Sequence, residues 1–234
     1  MRLLCISDIH GHADALAAVL ATAERRGYTQ ILVAGDLCFP GPKPLETWRR
    51  LTQAQAICVQ GVGDRALATL DVGEVRPRSD HEKARLDRLS QVRAELGELI
   101  LARLARLPST YRLPLGRMGQ PVRGPVDGGE LLLVHGSPVD PFEPFSHDMS
   151  DEELGALVGD DPADIILCGG SHVPFDRTVG GVRIINVGSV GEAPSGHGGD
   201  VGSHGPAHAD ATFIEVGGGR LVVEQFVVPL GKAA

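Results

Sequence analysis

Leu3-Leu4-Cys5-Ile6-Ser7-Asp8-Ile9-His10-Gly11-His12 decides how the rest of the chain is read. Its apolar run reads as a short buried strand that stops abruptly at a carboxylate and an imidazole two positions apart. On extended backbone Asp8 and His10 project to one side and Ile9 to the other. A hard oxygen ligand and an imidazole nitrogen converging at a strand end are a sensible start to a divalent-metal site. Asp-x-His alone is weak evidence, because many such triplets are a surface Asp near a turn. The remainder of the chain has to supply the missing ligands.

Working outward, residues 13–26 carry Leu16, Val19, Leu20 and Ala23 at helical spacing, with Gly27 as the stop. Gln30-Ile31-Leu32-Val33-Ala34 is a second apolar strand and ends on Gly35-Asp36. The rigid turn Pro40-Gly41-Pro42-Lys43-Pro44 leads into a helix over 45–53. A third strand, 56–60, ends on Gly61-Val62-Gly63-Asp64. Strands alternating with helices through short joins indicate a parallel sheet covered by helices. In such sheets the ligand site lies beyond the carboxyl ends of the strands, so Asp8, Asp36 and Asp64 are expected at one edge.

The longest helical pattern covers 79–107. Ser79 and Glu82 form a capping box and Pro108 ends it. Residues 116–129, rich in Gly and Pro, read as an exposed hairpin-like loop. In the second half, strand 130–134 ends on His135-Gly136-Ser137-Pro138, and a short helix follows, capped by Ser150 and Glu153. Strand 164–168 ends on Gly169-Gly170-Ser171-His172. Strands over 182–187, 211–216 and 220–228 follow, the last two as an antiparallel hairpin. The Gly-rich loop 188–210 holds His197, His204 and His208. Five successive strands thus end in Asp8/His10, Asp36, Asp64, His135 and His172.

The 234 residues show no internal repeat and no long linker, and are expected to form a single domain, 1–234. Lys and Arg total 22 against 30 Asp and Glu, so the net charge is 22 − 30 = −8. That balance argues against a long nucleic acid as main partner and remains compatible with a small phosphorylated molecule held through metal. Cys5, Cys38, Cys58 and Cys168 are scattered and form no Cys-x-x-Cys pair or disulfide framework, which suits a reducing cytoplasm. No stretch is long and apolar enough to span a membrane. The oligomeric state is not legible.

The ordered blocks Asp8-Ile9-His10-Gly11, Gly35-Asp36, Gly61-Val62-Gly63-Asp64, His135-Gly136 and Gly169-Gly170-Ser171-His172 resemble the pattern of the calcineurin-like metallophosphoesterases. The small bacterial and archaeal phosphodiesterase-type members are the nearest in kind. Gly41-Pro42, residues 134–138 and Asn186-Val187-Gly188-Ser189-Val190-Gly191 extend the match over nearly the whole chain. The resemblance implies a four-layer α/β/β/α sandwich of two β-sheets flanked by helices. It further implies a first metal site from Asp8, His10, Asp36 and His172, with Asp36 bridging to a second ion that His135 also binds.

The second site is eroded. The family has Asn where this chain has Val62 and His where it has Gly170; Gly63 replaces the proton-donating His or Cys. One firm site and a weak or empty second one are therefore expected, and oxygen and nitrogen ligands suit Mn²⁺, Fe or Zn²⁺. The implied activity is hydrolysis of a small phosphodiester, nucleotide or phosphomonoester. The alternative is a catalytically weakened domain that keeps the fold for binding or regulation. His12 and Asp64 stand as candidates for catalytic work, and His12, Arg65 and Ser171 as candidates for holding substrate. Against these stand plainer readings: helix capping for His12 and Asp64, or an Asp64–Arg65 ion pair.

Overall fold

The computed structural model describes residues 1–115, 129–194, 206–217 and 220–231. Strand β1 (Arg2–Ile6) leads to helix α1 (Ala13–Arg26), then β2 (Gln30–Val33), α2 (Pro44–Gln53), β3 (Ile57–Cys58) and α3 (Val62–Thr69). Next come α4 (Asp80–Leu104), β4 (Thr110–Pro114), β5 (Glu130–Val134), α5 (Asp151–Val158) and β6 (Ile165–Cys168). The chain finishes with β7 (Phe175–Val179), β8 (Val182–Asn186), β9 (His208–Gly217) and β10 (Arg220–Pro229).

These strands form two five-stranded mixed sheets, ordered β10-β9-β1-β2-β3 and β4-β5-β6-β8-β7. β1, β2 and β3 run parallel, as do β5, β6 and β8; β9, β10, β4 and β7 pair antiparallel. Period-2 alternation sorts the side chains into layers. Leu3 and Cys5 of β1 meet Leu131, Leu133, Leu167 and Ile185 between the sheets. Leu4 and Ile6 point the other way, into a core with Leu16 and Val19 of α1 and Leu89 and Val92 of α4. On the far side Leu132, Val134, Ile166 and Ile184 pack against Leu154 and Val158 of α5. With both faces covered, the central strands are continuously apolar, and helices, sheet, sheet and helix stack as the expected four layers.

The structure differs from the sequence reading in several elements. The helix expected over 79–107 ends at Leu104 and is interrupted at Gly97, where φ is 74° and ψ 164°. Glycine reaches that left-handed conformation without a Cβ clash and is a weak helix former. The third strand shrinks to two residues, and α3 begins at Val62, where the capping reading of Asp64 implied a helix start but no helix was delimited. Strands β4 and β7 were not foreseen. The loop expected over 116–129 lies outside the described residues except for Gly129.

Candidate metal centre

The carboxyl ends of β1, β2, β5 and β6 converge on one cluster. The loop after β1 is tied to the loop after β2 by three backbone hydrogen bonds: Asp8 N to Gly35 O (3.1 Å), His10 N to Asp36 O (2.9 Å) and Gly11 N to Leu37 O (2.9 Å). Close approach of backbone requires glycine at Gly41, where a Cβ would lie 1.5 Å from the His10 carbonyl oxygen. Asp8, His10, Asp36 and His172 all have positive φ, between 49° and 61°. Among the described non-glycine residues only Gln55 shares that conformation. Each such residue costs about 1–2 kcal/mol relative to right-handed backbone, and strain of this kind concentrates at functional sites. Here it falls on four of the five expected metal ligands.

The side chains form two overlapping groups able to hold an ion, Asp8–His10–His172 and Asp8–Asp36–His135. In the first, His172 Nε2 lies 3.2 Å from Asp8 Oδ1 and 3.1 Å from His10 Nε2, and His10 Nε2 lies 3.7 Å from Asp8 Oδ1. In the second, His135 Nε2 is 3.8 Å from Asp36 Oδ2, which is 4.0 Å from His10 Nε2. Outside contacts aim these atoms. His10 Nδ1 bonds to Phe39 O (2.6 Å) and His135 Nδ1 to Ala34 O (2.7 Å), so both present Nε2 lone pairs inward. Asp8 Oδ2 accepts from Gly170 N at 2.9 Å, whereas its Oδ1 is buried without a hydrogen-bond partner. A buried, orphaned carboxylate oxygen beside imidazole nitrogens is what a cation would relieve, since an unmet buried acceptor is costly. The residues present fit a divalent ion.

Electrostatics agree. Burial raises the Asp8 pKa, but the close approach of His172, with the charges of His135 and His10, outweighs it, leaving the carboxyl at about 2. Burial lowers the His135 and His172 pKa values, yet the facing carboxylates win and both end above the ordinary 6.5. For His135 these are Asp36 and Asp8; for His172 they are Asp8 and Glu192.

The eroded half has its own geometry. Val62 opens α3 and is 47% exposed. Gly63 contributes only its N–H, which donates to Asp36 Oδ1 at 2.7 Å. Gly170 has φ of 77°, and a Cβ there would lie 2.9 Å from Pro144 Cβ. The backbone around Gly170 has thus settled on a conformation that disfavours a side chain.

The other expected residues are placed as follows. Asp64 is fully buried and caps α3: its carboxylate accepts from Leu37 N and Gly61 N, each at 3.0 Å. With both oxygens so engaged, it stands outside both metal groups. Burial, with Asp36 nearby, raises its pKa to about 7 against those two donors. Arg65 makes no ion pair with Asp64; its guanidinium lies 4.7 Å from the centre of the Phe142 ring. His12 occupies the N-cap position of α1 without a side-chain capping bond, correcting the capping expectation. Its ring lies along Gly191 instead, where a Cβ would come within 2.7 Å of His12 Cδ2. Burial lowers its pKa. Ser171 Oγ accepts from Asn186 Nδ2 at 3.0 Å. His208 opens β9, while His197 and His204 lie outside the described residues.

Sequence reasoning missed Glu192. Its Oε2 lies 3.7 Å from both His10 Nε2 and His172 Nδ1. The available signal was position: Glu192 directly follows the Asn186–Gly191 block that carried part of the resemblance.

The family model for the calcineurin-like phosphoesterase superfamily domain matches residues 1–203. The chain belongs to the calcineurin-like phosphoesterase superfamily. A metallophosphoesterase from Sphaerobacter thermophilus is 22% identical, with a TM-score of 0.68 over 97% of this chain and 88% of that one. A protein from Pyrococcus horikoshii OT3 described as hypothetical is 21% identical, with a TM-score of 0.76 over 99% and 89%. At these identities the likeness concerns the fold. No curated protein matches the chain at a significant level. No described helix is long and apolar enough to cross a membrane.

Proposed function

We propose that this superfamily member is a metal-dependent phosphoesterase acting on a small phosphodiester, nucleotide or phosphomonoester through one firmly held divalent ion. The observation that carries this reading is the orphaned Asp8 Oδ1 beside the His10 and His172 nitrogens. Asp8, His10, Asp36 and His172 would hold the ion, chosen from Mn²⁺, Fe and Zn²⁺ by their oxygen and nitrogen donors. When bound, the ion supplies Lewis acidity to a phosphoryl oxygen and to the attacking water.

The protein's own share is positional. Asp36 keeps Oδ2 turned inward because Gly63 N occupies Oδ1, and His135 stands 3.8 Å from that free oxygen. On this side Asp36 and His135, with Asp8 shared between the two groups, would hold any second ion, and substrate oxygens would complete its shell. Arg65 beside Phe142, and Ser171 beside His172, stand ready for the substrate's phosphate and organic group. No imidazole or thiol stands at Gly63 to protonate a leaving group, a deficit worth on the order of 10²–10⁴ in rate for a poor leaving group. Activated esters escape that penalty. Bis-p-nitrophenyl phosphate hydrolysis with added Mn²⁺ tests the reading: metal-dependent turnover is expected, and its absence at saturating metal would leave the binding-module alternative. That alternative draws on Val62, Gly63 and Gly170, which provide neither ligand nor proton donor. The free cysteines favour a reducing, cytoplasmic setting.

A further inference from the structure

We infer that Glu192 is a positioning residue of the firm metal site, holding His172 so that its Nε2 faces the ion; this rests on the metal-centre reading above. Three imidazoles point Nε2 into the cluster. His10 and His135 each have Nδ1 fixed by a backbone carbonyl, Phe39 O and Ala34 O. Among the described residues His172 Nδ1 has no such carbonyl, and the acceptor nearest it is Glu192 Oε2 at 3.7 Å, just outside hydrogen-bond range and equally far from His10 Nε2. A carboxylate on the outer nitrogen of a ligating histidine fixes its tautomer and makes the inner nitrogen a better donor.

Glu192 is no wandering surface acid. Its N–H donates to Ser189 Oγ at 2.7 Å, and Ser189 Oγ donates to Asp8 O at 2.8 Å. Val190 N bonds to Ser7 O and Gly191 N to Asp8 O, at 3.0 and 2.9 Å. Gly191 packs so tightly that a Cβ would lie 2.2 Å from Ile9 O. The loop that carries Glu192 is therefore bolted to the loop that carries Asp8 and His10, and its side chain is only 25% exposed.

The test is Mn²⁺ affinity by isothermal titration calorimetry on the wild type, Glu192→Gln and Glu192→Ala, with visible absorption spectra of the Co²⁺-loaded proteins. Loss of the carboxylate in Glu192→Ala should weaken Mn²⁺ binding roughly 10- to 100-fold and change the Co²⁺ band. Glu192→Gln, which keeps an acceptor but no charge, should fall between and keeps the test open if the Ala variant folds poorly. Affinities within about twofold of wild type and an unchanged Co²⁺ spectrum would overturn the inference while leaving the metal site standing. A wild type that binds no Mn²⁺ would overturn the metal-centre reading, and this inference with it.

Discussion

At the scale of single residues, positive φ marks Asp8, His10, Asp36 and His172, the four residues proposed to hold the firm ion. His172 reaches Asp8 Oδ1 and His10 directly, whereas His135 lies nearest Asp36. His172→Ala should therefore empty the firm site, and His135→Ala should leave it nearly full. Metal content by elemental analysis after gel filtration checks this, and equal loss in both variants would end the one-firm-site model. Asp64 supplies the contrast. Removing it in Asp64→Ala orphans the amides of Leu37 and Gly61, at about 1–3 kcal/mol each. Chemical denaturation should register that loss while saturating Mn²⁺ still binds with wild-type stoichiometry. Loss of an ion without loss of stability would make Asp64 a ligand after all.

At the scale of elements, the site depends on loops pressed together after the strand ends. A methyl group at Gly41 would sit 1.5 Å from the His10 carbonyl oxygen, and no side-chain adjustment relieves a backbone collision. Gly41→Ala must move the loop that presents His10, so we expect Mn²⁺ affinity to fall at least 10-fold, read by calorimetry. Wild-type affinity in a folded Gly41→Ala protein would show that the loops are looser than their packing suggests. This dependence on loops explains what the sequence disclosed. Apolar runs ending in Asp or His were legible because strand period and polarity change there together, so β1, β2, β5 and β6 and the Asp and His residues beyond their ends could be read directly. β4 and β7 were not, being half-exposed outer strands whose Arg, Tyr, Asp and Thr lack a clean alternation. α3 was hidden because its first turn is Val62-Gly63, poor helix starters redeemed by Asp64 three residues after Gly61. Glu192 was missed for another reason, although it directly follows the Asn186–Gly191 block. Nothing in a Gly-rich stretch reveals that hydrogen bonds to Ser7 and Asp8 fold it back over the first strand's end.

At the scale of the whole molecule, the cluster joins both sheets. β1 and β2 of one sheet carry Asp8, His10 and Asp36; β5 and β6 of the other end in His135 and His172. An ion bound there ties the two sheets together, so binding should appear as global stability. At a free concentration of 100 times Kd the gain is about 2.7 kcal/mol, or roughly 5–10 °C in Tm for a chain of this size. The pH dependence distinguishes this from a general salt effect. His135 and His172 have folded pKa values above the ordinary 6.5. In the metal-free protein their contribution to stability is full below 6.5 and fades as pH rises through the folded values. The metal demands the opposite, because an imidazole must shed its proton to coordinate. The Mn²⁺-induced rise in Tm should therefore be largest at alkaline pH and shrink as pH falls through the raised histidine values. The Asp8 carboxylate, held at about 2, stays ionised throughout. Thermal melts with Mn²⁺ or EDTA across that range check the sign, and a metal-induced shift that is flat with pH would remove both histidines from the ligand set.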